Sequence, residues 1–200
     1  MGKIIFELKR KIFHLFMLIP VLIYFFIMKY FTQQIALLFL VFSLLILIAI
    51  EFLRIKQKAR LPFFHILYRE KEKNKLAGHI YFLLGAIIVF SVFDFKIAFV
   101  GLLMAVFGDL SASVVGITIG THHIKKIPNK TWEGVIAEFV VDLIIVAIFL
   151  QNIIIILVMA LTATFVETVF THADDNMMIP LFAGFTGQIS YMLLSFLKIM

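Results

Sequence analysis

Apolar runs of near-spanning length recur along this 200-residue chain, and that repetition constrains the fold more than any other feature. Seven runs fall at roughly 13–30, 33–53, 77–93, 96–119, 134–150, 152–171 and 177–197. A hydrocarbon core about 30 Å thick asks for ~20 apolar residues per helix, so several of these runs imply tilt, breaks or local thinning. At 63% hydrophobic, with a mean hydropathy of +1.10 and 24 Phe, the chain exceeds what a soluble core absorbs. The pattern predicts an all-α polytopic integral membrane bundle of about seven helices, a single membrane domain over 1–200, with 54–76 as a basic amphipathic connection on the cytoplasmic side. The run after Lys9-Arg10-Lys11 meets no small-residue cleavage site beyond Tyr30 and reads as a retained helix. Gly2 is followed by Phe6 rather than a hydroxyl residue, so the myristoylation pattern is absent. With zero cysteines, disulfides, thiolate metal sites and cysteine nucleophiles are excluded.

Charge orients the bundle. With a cytoplasmic N-terminus, one face receives fifteen of the eighteen Lys and Arg, and the other keeps Lys29, Lys96 and Lys198. The positive-inside rule therefore puts the N-terminus in and the C-terminus on the opposite side. The same topology sets Glu7, Glu51, Asp109, Glu133, Glu167, Asp174 and Asp175 at or near the cytoplasmic ends of the spans. Acids contribute little to orientation, so their clustering needs another cause. Carboxylates, hydroxyls and lysines at a water–lipid boundary suit a Mg²⁺-nucleotide, the metal taking oxygen ligands and the phosphates taking ammonium and backbone N–H groups.

The polar residues fall in a recurring order. Glu7, Arg10-Lys11 and His14 precede the first span, and Gly108-Asp109 interrupts the fourth, with Gly116 and Gly120 beyond it. Lys125-Lys126 leads to Pro128-Asn129-Lys130-Thr131-Trp132-Glu133-Gly134, Glu167 closes the sixth span, and Asp174-Asp175-Asn176 with Pro180 opens the seventh. This ordered set resembles the dolichol kinase, phytol kinase and CTP-dependent diacylglycerol kinase family across nearly the whole chain. The stretch Pro128 to Gly134 is also similar to phosphatidate cytidylyltransferases, distant relatives that use CTP. Those enzymes usually close on a longer acidic signature containing Asp-Arg, whereas Asp174-Asp175-Asn176 here has no nearby Arg.

The resemblance implies transfer of the γ-phosphoryl of CTP, with Mg²⁺, to the hydroxyl of a lipid alcohol such as a polyprenol, phytol or diacylglycerol. Phosphoryl transfer is mainly positioning and charge neutralisation. On that reading Asp109, Asp174 and Asp175 are Mg²⁺ ligands, and Glu167 joins them in the catalytic set, from which the base would come without the sequence choosing one. Lys125, Lys126 and Lys130, with amides around Gly116 and Gly120, are phosphate contacts. Thr131, Glu133 and Asn176 orient metal or nucleotide, and Arg10, Lys11 and His14 approach the nucleotide from the N-terminal helix. Plainer readings stand beside these: Asp109 as a buried acid bonded to a serine, Lys125-Lys126 as a topology signal, Asp174 and Thr131 as helix caps, Trp132 as an interfacial anchor and Gly134 as a close-packing residue.

Glu138 and Asp142, four apart, share one face of the fifth span among Val, Ile and Phe, and either extend the cavity or serve another partner. Glu51 and Arg54 form an i, i+3 pair. The basic segment from Arg54 to Lys75, with Leu61-Pro62-Phe63-Phe64 at its centre, suits a helix lying on anionic lipid, and nucleic acid is a poor partner for it. Two alternatives remain: CDP-lipid synthesis from phosphatidate, and an ion-coupled carrier using Glu138, Asp142 and Glu167. The acceptor lipid and any homo-oligomer are left open.

Overall fold

Helices form where the apolar runs fall. A computed structural model describes residues 14–57, 76–125, 127–170 and 174–197. Among these, a 3-10 turn at Leu15–Met17 leads into α1 (Leu18–Tyr30), α2 (Gln33–Gln57), α3 (Gly78–Val92) and α4 (Phe95–Thr118). A two-stranded hairpin, β1 (His123–Ile124) and β2 (Ile127–Thr131), then precedes α5 (Trp132–Phe149), α6 (Ile153–Val169) and α7 (Asp175–Phe196). Seven α-helices among the described residues match the expected architecture. Three of them, over Gln33–Lys56, Phe95–Thr118 and Asp175–Phe196, are long and apolar enough to cross a membrane, and Leu15–Tyr30, Gly78–Val92 and Ile153–Val169 are shorter apolar segments. Phe42, Ile136, Ile148 and Phe165 stand exposed on the outer faces, where lipid is their solvent. The protein is an integral membrane bundle.

The described turns between α1 and α2, α3 and α4, and α5 and α6 are short, so those helices reverse direction. Asn152, between α5 and α6, caps α6 by accepting from the Ile154 N–H at 3.0 Å. Intramembrane hydroxyls are satisfied locally: Ser43 donates to the Phe39 carbonyl at 2.8 Å, Thr162 to Val158 at 2.7 Å and Thr164 to Ala160 at 3.0 Å. The C-terminal ends of α2, α4 and α6 therefore gather with the N-terminal ends of α3, α5 and α7, and this is the polar end of the molecule.

Helix α4 is the axis, packed by α3, α5, α6 and α7. On one side Tyr24, Leu40, Phe82, Phe90 and Leu102 join α1 through α4 in one buried cluster. On the other, Met104, Val146, Met159 and Ile179 join α4 through α7. Lipid removes the hydrophobic drive between helices, so van der Waals fit and close backbone approach hold them together. A Cβ on Gly101 would lie 3.3 Å from Pro180 Cα, and one on Gly134 only 2.7 Å from the Ala112 carbonyl oxygen. Helices α4 and α7, and α4 and α5, thus touch nearly backbone to backbone.

The hairpin was not foreseen in a chain read as all helix and loop. It is antiparallel, with His123 opposite Thr131, Ile124 opposite Ile127, and an irregularity between its two pairs. Its second strand runs straight into α5, so β2 and the first turn of α5 form one continuous path along α4.

Gly134→Ala would drive a methyl into main chain that cannot rotate away, at a cost of about 1–3 kcal/mol. The expected outcome is a lower thermal midpoint in detergent than for Gly184→Ala, where the obstructing atoms belong to the Phe93 ring and can turn aside.

Candidate metal and phosphate site

Three carboxylates from three helices meet at the polar end. Asp109 comes from the middle of α4, Glu167 from the last turns of α6 and Asp175 from the first residue of α7, and one oxygen of each lies within 4.8 Å of the others. Asp109 and Glu167 are buried and Asp175 is half-buried. Asp109 sits nine residues before the end of α4, about 14 Å along the axis at ~1.5 Å per residue. Helix α4 therefore projects past its neighbours, and the hairpin folds back along that projection.

The returning strand carries Lys130 to the cluster. Its ammonium donates to Glu167 Oε2 at 2.5 Å and also to the Glu167 main-chain carbonyl. One cation thus serves a carboxylate and the carbonyl end of α6, where the helix dipole favours positive charge. Thr131 caps α5 by accepting from the Gly134 N–H at 3.2 Å, and it is buried. Gly116 and Gly120 make room for that cap. A Cβ on Gly120 would collide with the Gly116 carbonyl and lie 2.7 Å from Thr131 Oγ1. Gly116 is inside α4, so its amide belongs to the helix, and both glycines act by letting the hairpin approach.

Asp175 Oδ1 also accepts from the Asn176 N–H, at 3.0 Å, and Asp174 shares that task. Its Oδ1 accepts from the Asn176 N–H at 3.2 Å and from Asn176 Nδ2 at 2.8 Å, capping α7. Glu167, rather than Asp174, completes the three-oxygen set with Asp109 and Asp175. Asn176 is buried and its Oδ1 has no hydrogen-bond partner among the described residues. Pro180 carries no N–H, so the Asn176 carbonyl also lacks its usual donor four residues on.

Glu133 is fully committed to the hairpin base. It accepts from the Thr121 N–H at 3.1 Å, Thr121 Oγ1 at 2.9 Å and the His122 N–H at 3.1 Å, with His122 Nδ1 at 2.6 Å. The His122 ring bond first, then main-chain N–H groups and the Thr121 hydroxyl, hold its carboxyl below the usual carboxylate range. Trp132 is exposed, as an interfacial residue should be. Lys125 is exposed on the hairpin turn. His14 begins the described chain beside the 3-10 turn that touches α3 and α4. Arg10, Lys11 and Lys126 lie outside the described residues.

Arg54 Nε donates to the Glu51 oxygens at 2.9 and 3.0 Å, as their spacing implied. Two acids go beyond the expected site set. Glu138 and Asp142 are almost entirely buried. Glu138 lies against Glu167 and Asp142 beside Thr164. Gly108 creates the space: a Cβ there would sit 2.6 Å from Asp142 Oδ1. The sequence signal was the i, i+4 acidic pair opposite Gly108-Asp109.

Clustered hard oxygens with an orphaned amide oxygen fit a divalent cation such as Mg²⁺. Lys130 and the N-terminus of α7 supply the positive potential that phosphates need.

The chain is 37% identical over 84 residues to CTP-dependent diacylglycerol kinase 1 of Eremothecium gossypii, covering 42% of this chain and 26% of the relative. It is 28% identical over 118 residues to CTP-dependent diacylglycerol kinase 1 of Saccharomyces cerevisiae, covering 55% and 39%. Over these stretches the chain is similar to CTP-dependent diacylglycerol kinases. It spans about a quarter to two fifths of the length of these two relatives. An uncharacterized protein of Methanocaldococcus jannaschii is 36% identical over 120 residues, covering 58% of this chain and 60% of its own. No family model matches, and no solved structure matches.

Substituting Glu133→Gln removes the charge that gathers the Thr121 and His122 amides, and these should exchange with deuterium several-fold faster. Because the folded-state pKa is depressed, the charged contribution is complete above the ordinary carboxylate range and is lost only as pH falls through the lowered value. Hairpin protection, corrected for intrinsic exchange, should therefore be flat from neutral pH down to about 5.

Proposed function

We propose that this protein binds Mg²⁺-CTP at its polar end and transfers the γ-phosphoryl group to the hydroxyl of a lipid alcohol, with diacylglycerol as the leading acceptor class. The observation that carries the proposal is the meeting of Asp109, Glu167 and Asp175 beside Lys130. The relatedness to CTP-dependent diacylglycerol kinases supports the donor and the acceptor class.

Each group has a role in this reading. Asp109, Glu167 and Asp175 would hold Mg²⁺, with Asn176 Oδ1 as a further oxygen. A divalent ion held by these residues would supply charge neutralisation for the phosphates. Lys130 orients Glu167 and places positive charge where the transferred group passes, and Lys125 stands on the outer side of the same hairpin. The acceptor hydroxyl oxygen bonds to the γ-phosphorus while the bond from that phosphorus to the β,γ-bridging oxygen breaks. CDP leaves, and the hydroxyl proton passes to a carboxylate of the set.

Placement at the end of the bundle suits a substrate pair of unlike solubility. The nucleotide arrives from water on the basic face, and the hydroxyl arrives from the membrane, its acyl chains remaining among Leu, Ile and Phe. By the distribution of Lys and Arg, that face is the cytoplasmic one.

The test is incubation of the purified protein in detergent with Mg²⁺, CTP labelled on the γ-phosphate, and a panel of diacylglycerol, phytol, polyprenols and phosphatidate. Label entering an alcohol with release of CDP is the expected result. Asp109→Asn, Glu167→Gln and Asp175→Asn should each lower the rate by about two orders of magnitude or more. Pyrophosphate release with phosphatidate alone would replace this reading with CDP-lipid synthesis, and no turnover with any acceptor would remove both.

A further inference from the structure

At the end of the bundle opposite the carboxylate set, a cavity of about 150 Å³ opens among the first four helices. Tyr24 and Met28 reach it from α1, Gln33 from the start of α2, Phe90 from α3, and Asp94 and Phe95 from the turn into α4. None of these residues takes part in the proposed phosphoryl transfer. A space of that size takes a ligand about as large as benzene, which is a headgroup and not an acyl chain.

The wall is aromatic, and the polar groups in it are acceptors. Tyr24 stacks on Phe90 with ring centroids 4.2 Å apart, and Phe90 stacks on Phe95 at 5.6 Å, so these rings face one another. A quaternary ammonium is recognised by open aromatic faces, whereas a primary ammonium carries three N–H donors and needs oxygens. Gln188 Nε2 donates to Asp94 Oδ2 at 2.7 Å while the Asp94 N–H donates to Gln188 Oε1 at 2.9 Å. This reciprocal clasp fixes the Asp94 carboxylate and engages one of its two oxygens. Gln33 Nε2 donates to the Phe90 carbonyl at 2.9 Å, which orients the amide whose Oε1 is a second acceptor. Tyr24, only 1% exposed, brings a hydroxyl as the third oxygen. Groups held in place by the fold in this way lower the ordering cost of binding.

Charge at the mouth matches a zwitterion. The C-terminal ends of α1 and α3 favour positive charge, and the N-terminal ends of α2 and α4, which meet them here, favour negative charge. Two exposed lysines flank the cavity in the chain, Lys29 directly after Met28 and Lys96 directly after Phe95. Phe31 and Val92 stand exposed at the same end, apolar surface for chains attached to a headgroup.

We propose that this cavity binds the headgroup of a zwitterionic phospholipid bearing a primary ammonium, as in phosphatidylethanolamine. The ammonium donates to Asp94, Gln33 and Tyr24, the phosphate lies toward Lys29 and Lys96, and the acyl chains stay outside against Phe31 and Val92. The bound lipid bridges the α1–α2 turn to the α3–α4 turn. The inference does not rest on the phosphoryl-transfer reading.

Native mass spectrometry of the full chain in detergent tests it, with phosphatidylethanolamine, phosphatidylcholine and phosphatidylglycerol of identical acyl chains titrated in turn. The expected result is a first phosphatidylethanolamine bound about tenfold tighter than either other lipid, the worth of one hydrogen bond to a charged group. Asp94→Asn keeps an oxygen for Gln188 but removes the charge, and it should bring the three affinities within about threefold of one another. Tyr24→Phe keeps the aromatic stack and should weaken phosphatidylethanolamine binding alone. Equal affinities in wild type would overturn the inference, as would a preference that survives in Asp94→Asn. Phosphatidylglycerol binding tightest would overturn it too, by making the lysines an ordinary anionic-lipid surface. The wild-type ranking decides even where a variant does not fold.

Discussion

Carboxylates drawn together at low dielectric are what the rest of this molecule is arranged around. Asp109, Glu167 and Asp175 come from helices that start or end at different levels, and bringing their oxygens within 4.8 Å fixes how α4, α6 and α7 can lie. Like charges at such separations repel strongly when water is scarce, and a cation converts that repulsion into attraction. The glycines serve the same arrangement: Gly101 lets α7 meet α4, Gly134 lets α5 meet it, and Gly108 leaves room for Asp142. Lys130 supplies part of the balancing charge from the returning hairpin.

The helices were legible because hydropathy in a membrane leaves few options. The run read at 33–53 became Gln33–Gln57, extended past the apolar stretch because Arg54 bonds back to Glu51 and keeps the last turn helical. The hairpin was not legible. Pro128 and the lysines around it read as loop, and the strand pairing depends on Glu133 gathering Thr121 and His122 and on Gly120 accepting Thr131 at contact distance. Those are long-range contacts without local periodicity.

The candidate site was legible in kind more than in detail. The acids that assemble were all visible as polar residues at membrane depth, but their division of labour was not. Asp174 and Asp175 are adjacent and identical, and both accept from the Asn176 N–H, while Asp175 alone of the two also joins the three-oxygen set. Gly116 and Gly120 also leave the space that Thr131 occupies, a packing role the sequence did not signal. Glu138 and Asp142 were seen on one face without any sign of which neighbour that face would meet. Their apposition to Glu167 comes from the α5–α6 crossing, a tertiary fact.

A divalent cation held at the polar end would make thermal unfolding in detergent depend on Mg²⁺ concentration. Ligand saturation at one hundred times its dissociation constant stabilises by about 2.7 kcal/mol, enough to raise the midpoint by several degrees. The account predicts a concentration-dependent rise in wild type that Asp109→Asn largely abolishes. A wild-type midpoint indifferent to Mg²⁺, with Asp109→Asn equally or more stable at every concentration, would contradict it.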